Sequence, residues 1–385
     1  MIVDILKIKV LYRTKPVGTL QMDTARGVCV FEYDKSWLAD GFSLSPIELP
    51  LQSGLFFGDK EKFGGSFATF EDSLPDGYGL YLLDRILRKE GLSLAGLSPL
   101  QRLSIVGKAG MGALSYLPVM PDYQAYSELV GTEQLDLFQK EALKALSETG
   151  PADARLLYYN SANSGGARPK AAIRPEDGSH WLVKFRHTYD PSDVGKTELL
   201  YMQTARECGI DVPRTMLLKD KYFAIERFDY ADNGERRHVL TAAALLKTDF
   251  RDQSADYTNL LALTGYLTQD PVQVEEMFRR MVMNIVAVNK DDHAKNFSFI
   301  CEDGKWTLAP AYDITYSPNG SKGEHATSLF YDGNPGLDLV LQAGMGIRIP
   351  ESRCMEIIRN VEEVCSKRLP VVCLLTSPVK NRVAH

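Results

Sequence analysis

The densest run of reactive side chains in the sequence is Asn289, Lys290, Asp291, Asp292, His293, Ala294, Lys295 and Asn296. Asp291 precedes Asn296 by five positions. At that separation a short rigid loop can aim one carboxylate at a substrate hydroxyl and one amide at a magnesium ion. After Asn296 come a strand-like run, Phe297 to Ile300, a turn from Glu302 to Lys305 containing Asp303 and Gly304, and a second run from Trp306. Such a hairpin returns the chain, and with it Asp313, to the neighbourhood of Asn296. Two oxygen ligands suit Mg²⁺, which takes few protein groups and completes its octahedron with phosphates and water. The chemistry implied is transfer of a phosphoryl group from Mg²⁺-ATP to a hydroxyl, with Asp291 as base and Asn296 and Asp313 on the metal. Asp292 reads as structural, because adjacent carboxylates need not face one site, and Lys290 reads as solvent-facing. His293 and Lys295 are open between solvated loop residues and contacts to nucleotide phosphate.

Phosphoryl transfer needs further groups upstream, on suitable elements. Lys184 lies in a strand, Trp181 to Phe185, where a protein kinase keeps the lysine that holds the α- and β-phosphates. Glu198 lies on the following helix, Lys196 to Glu207, closed by Gly209 with Pro213 beyond it, so a Lys184–Glu198 ion pair is expected. Before the strand runs a glycine-bearing loop, Ser161 to Lys170. Within it Ser164, Gly165, Gly166, Ala167, Arg168, Pro169 and Lys170 would cradle phosphates through backbone N–H groups, with Arg168 or Lys170 adding a cation. A second glycine cluster, Gly107 to Gly112, lacks the Gly-Lys-Ser/Thr ending of a P-loop and precedes a strand, so it reads as a tight turn.

The surrounding pattern supplies an α+β frame. Residues 1 to 120 contain β-like runs at Ile8 to Tyr12, Val28 to Tyr33 and Ala113 to Pro118 and a helix at Tyr81 to Lys89, as in a small accessory subdomain. A polar connector, Gln134 to Glu148, ends at Gly150 and Pro151. Residues 121 to 228 then form a β-rich amino-terminal lobe, and residues 229 to 385 a mainly helical lobe whose longest apolar stripe runs from Val274 to Val288. The expected architecture is a two-lobed, protein-kinase-like fold with an amino-terminal α+β subdomain. Hydrophobic residues make up 44% and charged residues 24%, which places the chain among folded globular proteins. A net charge of −6 argues against a chain that grips nucleic acid over its whole surface. The six cysteines lack metal-ligand spacing, and no apolar run approaches the length of a membrane span, so a reducing cytoplasm is expected.

Three segments together resemble the HipA family of toxin kinases: Ser164 to Lys170, the DxHxKNF pattern from Asp291 to Phe297, and Ala309 to Thr315. Val17 to Leu51 and Leu74 to Tyr78 are similar to that family's amino-terminal subdomain, and Gly323 to Ala326 to its segment after the metal aspartate. Glu226, Arg227, Phe228 and Asp229 resemble its hinge, which would contact adenine through backbone groups of Glu226, Arg227 and Phe228. The resemblance implies that ATP is bound by Gly165 to Lys170, Lys184, Glu226 to Phe228, His293 to Asn296, and Tyr312 with Asp313. It implies phosphorylation of a serine or threonine in a host protein, in some members an aminoacyl-tRNA synthetase, arresting growth. It also implies a helix-turn-helix antitoxin as partner, with operator DNA reached through the antitoxin complex. Some members phosphorylate themselves at a position matching Asn163, leaving the flanking Ser161 and Ser164 as candidates here. Two other readings stay open: a small-molecule phosphotransferase, and a non-catalytic regulator presenting a surface to antitoxin or DNA.

Overall fold

The computed structural model describes residues 4–120, 131–147, 152–161, 165–248, 255–320, 322–377 and 383–384. The chain divides into two compact units. One comprises Met1–Gly195, Leu217–Leu240 and Cys301–Gly304, and the other Lys196–Met216, Thr241–Ile300 and Lys305–His385.

The first unit opens on an antiparallel sheet of β1 (Lys7–Tyr12), β2 (Lys15–Asp23), β3 (Val28–Tyr33), β4 (Phe56–Phe57) and β5 (Leu114–Leu117), in the order β4-β3-β2-β1-β5. Its strands alternate as a sheet with one covered face must. Ile8, Val10, Val17, Leu20, Phe31 and Tyr33 are buried, and the helix Pro99–Val106 packs on β1 and β2. That helix starts at a capping box, in which the Ser98 hydroxyl accepts from the Gln101 amide while the Gln101 side chain accepts from the Ser98 amide. Sequence patterning missed β2 and this helix, because Pro16, Gly18 and Pro99 read as punctuation when the pairing partners are unknown.

Farther along the same unit, strand Trp181–Lys184 pairs antiparallel with Lys170–Ile173 on one side and Tyr222–Glu226 on the other. Lys170 and Lys184 are register partners.

The second unit is mainly helical. Helix Pro271–Val286 packs against Tyr257–Thr268 and Glu351–Arg368. Its start is set by Asp270, whose carboxylate accepts from the Val272 amide, and by Pro271 at the first helical position. Its stripe buries Met277, Phe278, Met281, Val282, Ile285 and Val286. The helix expected to continue to Val288 stops two residues sooner, since Val288 takes a positive φ of 54° and the Asn289 amide turns back to the Asn284 carbonyl. Strands Ser298–Glu302 and Lys305–Leu308 follow. Helices Leu337–Gly346 and Glu351–Arg368 complete the unit. Among the described residues no helix is long and apolar enough to cross a membrane.

Candidate active site

The loop after Pro271–Val286 is built around one buried carboxylate. Asp292 is 1% exposed. Its Oδ2 accepts from the Tyr257 hydroxyl at 2.5 Å and from His325 Nδ1 at 2.8 Å, its Oδ1 from the Thr327 amide at 3.3 Å, and its carbonyl from Thr327 Oγ1 at 2.5 Å. Behind Tyr257 the donors run in series: Asn289 Nδ2 donates to Asn284 Oδ1 at 2.9 Å, and Asn284 Nδ2 donates to the Tyr257 oxygen at 3.0 Å. Burial and the neighbouring Asp292 carboxylate push the Tyr257 hydroxyl far above the ordinary phenol value, so it remains a donor. The series is satisfied at its Asp292 end, whereas Asn289 Oδ1 at the far end is buried without a hydrogen-bond partner among the described residues.

With Asp292 fixed inward, Asp291 is left on the outside, its side chain 65% exposed. Asn296 closes the loop, its Nδ2 donating to the Asp291 carbonyl at 2.7 Å and its backbone amide to the His293 carbonyl at 2.8 Å, across the single 3₁₀ turn Ala294–Asn296. With Nδ2 engaged there, Oδ1 is directed away from the Asp291 carbonyl. His293 Nε2 lies 3.9 Å from Asp291 Oδ1. The hairpin brings the second acidic segment back to this loop: the Tyr312 hydroxyl donates to the Lys295 carbonyl at 2.7 Å and meets Ser298 Oγ at 2.5 Å. Since Tyr312 adjoins Asp313 and Lys295 adjoins Asn296, one hydrogen bond ties the two metal-candidate segments together. Asp313 itself sits at φ 56°, a left-handed conformation that aspartate tolerates better than most residues and that recurs at functional sites. Lys290, expected toward solvent, donates at the exposed surface through Nζ to the Gly323 carbonyl at 2.5 Å and to Asn334 Oδ1 at 2.8 Å.

In the first unit, the glycine-bearing loop is held from below by the start of helix Gly77–Lys89. The Gly166 amide donates to the Asp76 carboxylate, and the Tyr78 amide donates to the Gly166 carbonyl at 3.0 Å. Gly77 lies so close that a Cβ there would stand 2.4 Å from the Gly166 carbonyl oxygen. Gly166 takes φ 94°, which only glycine adopts without strain. Two cations expected at phosphate have internal partners: Arg168 forks onto Asp190 at 2.9 and 3.0 Å, and Lys170 Nζ donates to the Gly165 carbonyl. These bonds shape the loop. Lys184 projects from the neighbouring strand with Nζ 5.7 Å from the Phe223 ring centroid. Glu198 belongs to the other unit and is 1% exposed.

The expected hinge, Glu226 to Phe228, is fixed by a buried charge cluster that sequence reading did not find. Arg227 forks onto Asp229 at 2.9 and 2.7 Å, Arg236 reaches the same carboxylate at 3.2 Å, and the Gly112 amide donates to it at 3.1 Å. Burial alone would raise the Asp229 carboxyl, but Arg227 and Arg236 outweigh it and hold the group well below the carboxylate range. The Arg227 amide donates to the His180 carbonyl at 2.7 Å and the Phe228 carbonyl accepts from Arg237 at 3.2 Å, so part of the backbone expected at adenine is already paired. The Gly112 contact also gives the Gly107–Gly112 turn an internal use.

Of the expected autophosphorylation residues, Ser161 is 2% exposed and its Oγ donates to the Tyr158 carbonyl at 2.8 Å. Ser164 lies outside the described residues.

A model of the HipA-like C-terminal domain matches residues 162–368, more than half of the chain, and one of the HipA N-terminal domain matches residues 8–117. The chain belongs to the HipA family. Its similarity to named relatives is low but long. It is 24% identical over 339 residues to Y4dM of Sinorhizobium fredii, covering 82% of this chain and 78% of that protein. It is 22% identical over 335 residues to the serine/threonine-protein kinase toxin HipA of Shewanella oneidensis, covering 77% of this chain and 72% of that one. A solved structure of Shewanella oneidensis HipA, in complex with HipB and operator DNA, superposes with a TM-score of 0.69 at 18% identity over 97% of this chain and 92% of that chain. The fold is therefore that of HipA, a mixed helix-and-sheet, kinase-like fold. Within the HipA match fall Asp291, Asn296 and Asp313 as well as the Asp292 network.

Proposed function

We propose that the chain is a Mg²⁺-ATP-dependent serine/threonine protein kinase acting as the toxin of a toxin–antitoxin pair in the cytoplasm. The observation that carries this reading is the closed loop from Asp291 to Asn296, anchored by buried Asp292 and presenting the Asp291 carboxylate outward. Among the described residues no group of three or more His, Cys, Asp or Glu could hold a metal by itself. The donor set of the site, one amide oxygen and one carboxylate, fits Mg²⁺, which accepts few protein ligands. ATP would supply the phosphoryl group and Mg²⁺ the neutralisation of its charge. Asp291 would accept or orient the hydroxyl proton of the substrate, and Asn296 and Asp313 are the residues that would hold the cation. Lys184 would hold phosphate oxygens, with the backbone of Gly165 to Lys170 contributing N–H groups to them. His293, Lys295 and Tyr312, and separately the backbone of Glu226 to Phe228, are the groups assigned to the nucleotide in this reading. Residues 1–120, 121–228 and 229–385 then serve as accessory subdomain, nucleotide lobe and catalytic lobe.

A host protein is the substrate in this reading, a helix-turn-helix antitoxin the partner, and operator DNA is met through that antitoxin. The test is incubation of the chain with radiolabelled ATP, Mg²⁺ and host lysate, beside Asp291→Ala. The expected result is phosphoserine or phosphothreonine on a discrete host protein, absent with the variant. Label appearing only on small molecules would replace the protein substrate with a metabolite. Equal label with the variant, or none from folded, nucleotide-binding protein, would overturn the kinase reading.

A further inference from the structure

The segment that carries Asp313 is held on both sides by helix Pro271–Val286 and the residues just beyond its end. Arg280 lies within that helix and is 3% exposed, flanked along it by buried Met277, Phe278, Met281 and Val282. Its Nη1 donates to the Ala309 carbonyl at 2.8 Å and its Nε to Glu276 Oε1 at 2.9 Å. The same Glu276 oxygen accepts from the Asp211 amide at 3.1 Å, and the Asp211 carbonyl accepts from the Ala311 amide at 2.8 Å. Both neighbours of Pro310 are thereby tied, Ala309 through its carbonyl and Ala311 through its amide, while the proline ring fixes its own φ. Beyond Asp313, the Ser317 amide donates to the Val288 carbonyl at 3.1 Å and the Ser317 carbonyl accepts from the Lys290 amide at 2.9 Å. All of these groups belong to the second unit.

A charge at this position is a poor way to gain stability. Burial lowers the Arg280 pKa, and Glu276 opposes that shift without cancelling it. An ion pair taken out of water returns little net stability compared with apolar side chains of similar volume, whereas its directed hydrogen bonds fix geometry. Geometry is what the Asp313 segment needs. Asp313 holds φ 56°, and a residue other than glycine stays in that region only where its surroundings over-determine the backbone. Arg280 and Glu276 supply that constraint on the amino-terminal side of Asp313, and the Ser317 pairings supply it on the other. Because the Asp291 loop follows the same helix, one element orients the base segment and the metal segment together.

We infer that Arg280, with Glu276, is a positioning residue for the metal site, setting the affinity for the divalent cation through the backbone from Ala309 to Asp313 and not through contact with the ion. This inference rests on the kinase reading of the same site, in which Asp313 holds Mg²⁺. The test uses the full chain with a non-hydrolysable ATP analogue and Mn²⁺ as the probe. Bound Mn²⁺ is followed by electron paramagnetic resonance, with melting temperature measured alongside. Wild type is compared with Arg280→Lys, whose ammonium lacks the planar fork that spans Ala309 and Glu276, and with Glu276→Gln/Arg280→Met, which removes the pair without leaving a buried charge unpaired. Mn²⁺ affinity is expected to fall about tenfold in the double variant and about fivefold in Arg280→Lys. Affinity for the analogue in EDTA should stay within about twofold of wild type in both. Mn²⁺ binding within about twofold of wild type in the folded double variant overturns the inference, whatever its melting temperature. If the double variant does not fold, the same result with Arg280→Lys overturns it. An equal loss of analogue affinity in EDTA also overturns it, because the pair would then shape the whole site and not the metal segment. Failure of the kinase reading is distinguishable: wild type would bind no Mn²⁺, or Asp313→Asn would bind it as wild type does, before any Arg280 variant is compared, and the inference falls with it.

Discussion

Replacing Asp292 should separate the work of two adjacent aspartates. Every donor around Asp292 points at it: the Tyr257 hydroxyl, His325 Nδ1 and the Thr327 amide. The series from Asn289 through Asn284 to Tyr257 also runs toward it, so the carboxylate is where that series ends. Alanine would strand three buried donors at about 1 kcal/mol or more each, a cost of roughly 3–5 kcal/mol. Asparagine keeps the volume but turns one oxygen into a donor facing donors, for about 1–3 kcal/mol. By contrast, Asp291 is 65% exposed at its side chain, so Asp291→Ala should change stability by no more than about 0.5 kcal/mol while abolishing labelling. Urea unfolding of the three variants, followed by tryptophan fluorescence, checks the order: Asp292→Ala least stable, Asp292→Asn intermediate, Asp291→Ala close to wild type. Because the same carboxylate orients the loop, Asp292→Asn should also slow phosphoryl transfer at least about tenfold with folded protein. If both Asp292 variants lost less than about 1 kcal/mol, the claim that this network anchors the loop would be wrong.

Two further outcomes follow from the first unit. Gly77→Ala would place a Cβ 2.4 Å from the Gly166 carbonyl oxygen, so ATP affinity should fall about tenfold and stability by about 1–3 kcal/mol, read by nucleotide titration and melting; unchanged affinity would detach this contact from the nucleotide loop. His238 donates through Nε2 to the Leu44 carbonyl at 2.7 Å, and burial lowers its pKa from 6.5 to about 4. The unfolded chain therefore takes up a proton below pH 6.5 that the folded chain resists until about pH 4, so the stability is complete above the first value and lost between them. That loss should reach about 2 kcal/mol at pH 5, and His238→Gln, which keeps a donor and does not titrate, should remove most of it; equal acid sensitivity in the variant would count against His238 as the cause.

Local pattern was enough for the elements that carry the site. The apolar stripe from Met277 to Val286 requires a buried helix, and the Asp303–Gly304 turn requires a hairpin after Asn296, so the Tyr312–Lys295 contact could be anticipated in kind. Helices near the carboxyl end, Leu337–Gly346 and Glu351–Arg368, have signals of the same type but carry no chemistry that would single them out. Buried polar partners were a different case. Nothing near Asp229 in the chain specifies Gly112, which is 117 positions away, nor does Asp76 announce Gly166, 90 positions later.

What the sequence by itself determined is the order and spacing of the reactive groups and the type of element bearing each, because helix and hairpin formation depend on neighbours a few residues apart. Only the tertiary structure decided which polar groups face inward. Asp291 and Asp292 are chemically identical and adjacent, and one became the exposed base candidate because Tyr257, His325 and Thr327, from distant parts of the chain, converge on the other. Likewise Arg168 carries the charge expected at phosphate, yet Asp190 claims it, and the guanidinium of Arg227, a residue expected at adenine through its backbone alone, is held by Asp229. The physical reason is the same in each case: a charge taken out of water must find its partner wherever the fold brings one, and that partner is set by packing, not by proximity in sequence.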